Sequence, residues 1–246
     1  MLIKKILETK QGEQYYVKDL DKDMHTKYGM IKSSDIKGAK DGDVVKSNKG
    51  EECVVYSPLY IDQYRKLKRL AQIPLLKDIG FFIAELGLGR DSVIGDAGAG
   101  SGGVTCMLAN IVKKVYAFDV KDEHLAVVEE NIKNLELNNI VLKKASIYEE
   151  LDVKDLDAFF VDVAEPWNAV KFVGNTLKVG GFIVSYSPNL TSVSDYMNVL
   201  RADERFVVIK TVELIEQPWE VNGRKMKPLS ERIHSGFITI ARKLKN

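Results

Sequence analysis

The chain has 246 residues, 45% of them hydrophobic, and a formal net charge of +1. It can bury one sizeable core with a small appended module, and it is not basic throughout as a generic nucleic-acid binder would be. No stretch approaches the roughly 18 apolar residues of a membrane span, and Met1-Leu2-Ile3-Lys4-Lys5 runs into mixed polar sequence, which together predict a cytoplasmic protein. Cys53 and Cys106 lack C-x-x-C spacing, which speaks against a metal site and a disulfide framework and predicts two buried small hydrophobes.

In chain order, the first 50 residues alternate short β-rich pieces, Gln14-Tyr15-Tyr16-Val17 and Asp43-Val44-Val45-Lys46, with turn signals at Lys37-Gly38, Asp41-Gly42 and Asn48-Lys49-Gly50. They predict a small β domain over residues 1–56. Residues 60–83 change to a helical period, with Tyr64, Leu67 and Leu70 on one face and Arg65, Lys66, Lys68 and Arg69 on the other. Pro74 interrupts it, so 57–90 reads as a helical linker. From Asp91 onward strands and helices alternate, which predicts a catalytic α/β domain over 91–246 with a mostly parallel sheet covered on both faces. Strands are expected at 92–96, 114–119, 140–145, 158–162 and 181–187, and helices at 102–112, 122–136, 168–177 and 192–201. Two final strands, near 206–215 and 236–242, are joined by a long segment holding Trp219, Gly223, Pro228 and His234, and form an antiparallel edge.

Charge is unevenly spread along this plan. Residues 1–70 carry 15 basic against 11 acidic side chains and residues 210–246 carry 8 against 4, whereas 121–165 carry 5 against 12. An RNA partner would be held by the two ends. Solvated surface charge gives the same pattern.

Val93-Ile94-Gly95-Asp96 leads into Ala97-Gly98-Ala99-Gly100-Ser101-Gly102-Gly103, a strand passing through a glycine loop into a helix. Gly98 and Gly100 let the backbone turn sharply and approach a ligand, and Gly102 and Gly103 let the helix pack close. The same loop fits the dinucleotide pattern G-x-G-x-x-G, so by itself it does not separate a dinucleotide from S-adenosylmethionine. Asp119 closes the run Val115-Tyr116-Ala117-Phe118 about twenty residues past the loop, where a carboxylate accepts ribose hydroxyls in either class. Asp96 tips the balance to the methyl donor, since a carboxylate beside the loop suits an ammonium and repels a pyrophosphate.

Ala158-Phe159-Phe160-Val161 ends in Asp162, which opens Asp162-Val163-Ala164-Glu165-Pro166-Trp167. A carboxylate at the end of a buried strand, beside a proline and a large aromatic, can hold a flat heterocycle by its amino edge. Asp162 is the catalytic candidate. Trp167 is either a wall for the base or the start of the next helix, and His234 either an RNA or loop contact or a turn residue. The two constellations together point to methyl transfer onto a base.

These residues resemble the class I S-adenosylmethionine-dependent methyltransferases, and more narrowly the family that methylates N1 of adenine in the T loop of tRNA. Ser57-Pro58-Leu59, Lys68-Arg69-Leu70-Ala71-Gln72-Ile73 and Lys77-Asp78 look like its linker and Pro-Lys-Asp segment, and Asp96 to Gly102 is similar to its Glu-x-Gly-Thr-Gly-Ser-Gly loop. Asp162 to Trp167 resembles its Asp-Leu-Pro-x-Pro-Trp, and Arg232-Ile233-His234-Ser235-Gly236-Phe237 its terminal His-Thr-Gly-Phe. The chain departs from the family at Ser146, which stands where an aspartate usually bonds the cofactor's adenine. Leu75 and Leu76 replace an aromatic or histidine and a proline, and Gln217 replaces an arginine.

The resemblance implies a Rossmann-like, mostly parallel seven-stranded sheet with a small N-terminal β domain, S-adenosylmethionine as cofactor, a homotetramer, and tRNA as partner, methylated at adenine 58 and in archaeal relatives also at 57. It implies cofactor contacts from Asp96, Gly98, Ala99, Gly100, Ser101, Gly102, Gly103, Asp119, Ser146 and Gln72. Substrate contacts fall to Trp167, His234, Lys68, Arg69 and Arg224, with Lys66, Lys225 and Lys227 as further phosphate partners. Two other readings stay open: methyl transfer to a small molecule or protein carboxylate, and a non-catalytic tRNA-binding subunit.

Overall fold

A computed structural model describes residues 2–229 and 234–246. Arg232 and Ile233 of the terminal motif lie outside the described residues. The chain divides into two compact units, residues 1–67 with 133–136, and residues 68–132 with 137–246.

The first unit runs β1 (Lys5–Thr9), β2 (Gln14–Val17), β3 (Met24–Thr26), β4 (Gly29–Ile31), α1 (Ser33–Gly38), β5 (Val44–Lys46), β6 (Glu52–Tyr56) and α2 (Tyr60–Tyr64). Four strands form an antiparallel sheet in the order β2-β1-β6-β5, and β3 pairs with β4. Alternation puts Leu7, Val17, Val45, Cys53 and Val55 on one buried face, closed by Ile31 and Ile36. The Gln63 amide stands in for a strand partner: its oxygen accepts the Ile3 N–H at 2.9 Å and its nitrogen donates to the Ile3 carbonyl at 2.7 Å.

The second unit runs α3 (Leu76–Glu85), β7 (Val93–Ala97), α4 (Gly103–Ala109), β8 (Lys114–Asp119), α5 (Asp122–Leu135), β9 (Ile140–Lys144) and β10 (Leu156–Val161). A 3-10 turn (Pro166–Ala169), α6 (Val170–Thr176), β11 (Leu177–Ser187), α7 (Leu190–Ala202), β12 (Phe206–Glu213), β13 (Trp219–Asn222), β14 (Lys225–Pro228) and β15 (Phe237–Lys243) follow. All seven strands expected from the sequence join one sheet, ordered β12-β15-β11-β10-β7-β8-β9. The five from β7 to β11 are parallel, and β15 is antiparallel to both its neighbours. Consecutive residues enter opposite cores: Phe159 packs with Phe118 and Tyr196, Phe160 with Phe82 and Ile94. That period of two is what a strand covered on both faces requires. The chain winds outward from β7 to β9 and then returns to β10 on the other side of β7, which places a switch point between β7 and β10.

Two local features differ from the sequence reading, the helical period over 60–83 and the connection before the last strand. The helical period over 60–83 yields only α2 and α3, because the backbone between them bonds elsewhere: Ser101 Oγ accepts the N–H groups of Leu70 and Ala71 at 2.9 and 2.8 Å, and Asn131 bonds Lys68 on both sides. Leu70, expected on the buried face, is 55% exposed. The last two strands form the expected antiparallel edge, β15 inside and β12 outermost, in keeping with buried Ile238, Ile240 and Ala241 against exposed Val207 and Ile209. The long connection contains its own hairpin, β13 with β14. Among the described residues no helix is long and apolar enough to cross a membrane.

Candidate active site

A cavity of about 620 Å³ opens at the carboxyl ends of the parallel strands in the second unit. It is bounded by residues 71–74, by the loop after β7, by 118–124 after β8, by 145–148 after β9, by 162–164 after β10, and by Tyr186, Pro188 and Ser235. This is where an open α/β sheet binds ligands, beside the switch point.

The glycine loop is shaped by its neighbours. Gly98 adopts φ +78°, and a Cβ there would stand 1.9 Å from the Asp162 carbonyl oxygen. The Gly98 and Ala99 N–H groups both reach the Phe118 carbonyl, and Gly100 N–H donates to Asp119 Oδ2 at 2.9 Å. Gly98 and Gly100 face the cavity; Ala99, Ser101, Gly102 and Gly103 stand behind it. The Ser101 hydroxyl is saturated, accepting from Leu70 and Ala71 and donating to the Ala71 carbonyl at 2.7 Å. Its work is to strap residues 70–71 against the loop. Ile73 of the same segment fills the space a side chain on Gly103 would need.

Asp119 ends β8 with three partners: Lys121 N–H on Oδ1 at 3.0 Å, and Gly100 N–H and His124 Nδ1 on Oδ2 at 2.9 and 3.0 Å. Burial pushes this carboxyl up, but the two backbone donors and His124 outweigh it and hold it below the ordinary carboxylate range. With about four lone-pair positions on a carboxylate, Oδ1 keeps one for a ribose hydroxyl.

Asp96 is 1% exposed and does not reach the cavity surface. It accepts the Thr105 hydroxyl, and burial lifts its carboxyl to about 7 against that bond, helped by the charges of Asp162 and Asp119. Asp162 follows β10, its N–H donating to the Ala97 carbonyl at 2.9 Å, and lines the cavity. Its carboxyl accepts no hydrogen bond from a described residue, and burial alone raises it to about 7. A half-desolvated carboxylate without an internal partner is free to take a donor from a ligand.

Of the other residues named from sequence, Gln72 and Ser146 line the cavity. Ser146 Oγ accepts the Tyr148 N–H at 3.2 Å, which leaves its proton for a ligand. Trp167 sits in the 3-10 turn, packs against the core around Val170 and is not on the cavity wall. His234 lies outside the lining, with Nδ1 2.5 Å from Glu213 Oε1 and Nε2 3.0 Å from the Pro188 carbonyl. Lys68 pairs with Glu130 at 2.7 Å, while Lys225 and Lys227 pair with Glu220. Arg69 and Arg224 are exposed.

Sequence reasoning missed His124, Tyr148, Tyr186 and Ser235, all on the cavity wall. His124 had a faint signal, one helical turn into the segment after Asp119. Tyr186 had another, as an aromatic near the end of the fifth parallel strand.

The tRNA methyltransferase complex GCD14 subunit family matches residues 64–240. The chain belongs to that family. Its relatives include the tRNA (adenine(57)-N(1)/adenine(58)-N(1))-methyltransferase TrmI of Methanocaldococcus jannaschii, 30% identical over 98% of this chain and 95% of the other. The tRNA (adenine(58)-N(1))-methyltransferase TrmI of Thermus thermophilus is 28% identical over 98% and 96%. Among solved structures, a SAM-dependent O-methyltransferase from Thermotoga maritima superposes with a TM-score of 0.89 at 26% identity, covering 100% of this chain and 94% of that one. For a GCD14 family member the cavity is in the expected place, and the dinucleotide reading of the glycine loop falls away.

Proposed function

We infer that this protein transfers the methyl group of S-adenosylmethionine to N1 of adenine 58 of tRNA, with adenine 57 as a second position. It is an S-adenosylmethionine-dependent tRNA methyltransferase of the GCD14 family. The observation that carries the residue assignment is Asp162, a cavity-wall carboxyl beside the glycine loop with no hydrogen-bond partner among the described residues.

The residues present fit the cofactor. Gly98 and Gly100 present bare backbone to the cavity, Asp119 keeps an acceptor for a ribose hydroxyl, and Gln72, His124 and Ser146 supply further polar contacts on the same wall. S-adenosylmethionine, when bound, supplies an electrophilic methyl group on a sulfonium. Adenine N1 already carries a lone pair at neutral pH, so no base has to remove a proton from the nucleophile. Asp162 accepts a hydrogen bond from the exocyclic N6 amino group, orients N1, and stabilises the positive charge of the 1-methyladenine product. The base must leave its loop to reach this wall.

Arg69 and Arg224 are the phosphate contacts, since among the described residues neither pairs with a carboxylate. A homotetramer is part of the same reading. It is supported by the β13–β14 hairpin, whose register sets Trp219, Val221, Met226 and Pro228 on one face, with Trp219, Val221 and Met226 each more than half exposed.

Incubation with unmodified tRNA and methyl-labelled cofactor, followed by digestion and mass spectrometry, tests the reaction. 1-Methyladenosine at position 58, alone or with 57, is expected. Unlabelled tRNA from a protein that still binds the cofactor would overturn the reading and favour oxygen methylation, the activity for which the Thermotoga methyltransferase is named.

A further inference from the structure

On the cavity wall, Tyr186 and Ser235 are tied by hydrogen bonds to Asp78 and Lys77 of α3. Lys77 Nζ uses all three of its protons, on Asp78 Oδ1 at 2.9 Å, the Leu214 carbonyl at 2.7 Å and Ser235 Oγ at 2.6 Å. Tyr186 donates its O–H to Asp78 Oδ2 at 3.1 Å. Asp78, in the first turn of α3, is 1% exposed. The ring is also held from behind: a Cβ on Gly236 would stand 2.6 Å from Tyr186 Cζ.

A phenol oxygen has one proton to give and two lone pairs. In Tyr186 the proton goes to Asp78, so only lone pairs of the phenol oxygen remain for the cavity, whose wall it shares with Asp162. Burial, then the Asp78 charge, keeps the phenol ionisation above its ordinary range, so the proton stays on Tyr186.

We propose that Asp78 is a positioning residue that locks the Tyr186 hydroxyl to face the cavity as an acceptor only, so that Tyr186 and Asp162 together select a base bearing an exocyclic amino group. The inference rests on the adenine reading and deepens it. The N6 amino group has two protons, and the two acceptors take one each. A six-keto base would set its oxygen lone pairs against two oxygens, and a base without a six-substituent would leave both acceptors dry and unpaired, which a buried site penalises strongly.

The test compares single-turnover methyl transfer to two tRNA transcripts, one with adenosine and one with purine riboside at the target, for wild type, Asp78→Asn and Tyr186→Phe. Purine riboside keeps the N1 lone pair and lacks the amino group. Wild type should favour adenosine by at least about tenfold. Both variants should slow adenosine roughly three- to tenfold and leave purine riboside unchanged, so that the preference shrinks by the same factor. If both transcripts slow in proportion, or neither slows, Asp78 does not set the hydroxyl and the proposal fails. Should Asp78→Asn not fold, Tyr186→Phe keeps the Lys77–Asp78 pair and carries the same comparison. Wild type inactive on the adenosine transcript would instead refute the underlying reaction.

Discussion

Gly98 lies directly against Asp162: a Cβ on the glycine would stand 1.9 Å from the aspartate's carbonyl oxygen. The glycine loop and Asp162 are therefore packed backbone to backbone, and in the proposed reading that contact sets the spacing of cofactor and acceptor base. Gly98→Ala has to open it, and the φ of +78° penalises the alanine further. Turnover should fall more than about tenfold, with a fall in melting temperature of several degrees. Gly80→Ala is the control. Gly80 sits within α3 with nothing within 4 Å of its Cβ position, so that variant should keep full activity and gain slightly in stability.

In the proposed reading His124 serves the cofactor through Asp119. Its ring holds Asp119 Oδ2 at 3.0 Å, and it contributes to keeping that carboxyl ionised. His124→Ala should raise KM for the cofactor by roughly tenfold, about one charge-assisted hydrogen bond, and leave KM for tRNA unchanged. Steady-state kinetics with each substrate varied in turn reads the split. An equal rise in both values would mean that the substitution disturbs the whole cavity.

What the sequence made legible here follows from distance along the chain. Asp119 and Asp162 each close an apolar run, and a residue that ends a buried strand of a parallel sheet has to emerge at the ligand-binding edge, so both could be placed from the pattern alone. Tyr186 and Asp78 could not, because their partnership spans 108 residues and depends on α3 packing beside β11. For Ser101 and Asp96 the sequence shows a polar residue in a glycine loop but not its neighbours: Ser101 bonds Leu70 and Ala71, and Asp96 bonds Thr105 below the surface. The helical period over 60–83 failed for a similar reason. A side-chain hydroxyl and an asparagine amide took the backbone bonds that a helix would have used.

Arg69 and Arg224 bear on how the RNA is held. Lys68, Lys225 and Lys227 have carboxylate partners that RNA phosphates would have to displace. Arg69→Ala with Arg224→Ala should weaken tRNA binding without sequence preference, and should flatten the plot of log affinity against log salt by about one unit for each arginine. An unchanged slope would put the RNA on another face.

In the proposed reading Asp162 stabilises the positive charge of the methylated base only when ionised, and burial lifts its carboxyl to about 7 in the free protein. The kcat/KM for tRNA should therefore rise with pH through about 7 and level off above it, because that ratio reports the free enzyme. Asp162→Asn should lose most turnover and the rising limb with it, while cofactor affinity stays close to wild type. A limb that persists in the variant would assign the titration to another group.

Asp96 carries the opposite implication, for stability. Its folded carboxyl holds a proton up to about 7, whereas an aspartate in the unfolded chain lets go near its ordinary value of 3.8. Between those values the folded state binds more protons, so this group's contribution to stability is fully present below about 4 and is lost as the pH rises to about 7. Asp96→Asn keeps an oxygen for the Thr105 hydroxyl and removes the charge that burial opposes. Urea midpoints should match wild type at pH 4, and at pH 8 the variant should be more stable by on the order of 2 kcal/mol. The same variant should lose cofactor affinity only if the buried charge is felt at the cavity. A variant equally destabilised at both pH values would mean that the carboxylate form is the one the fold requires.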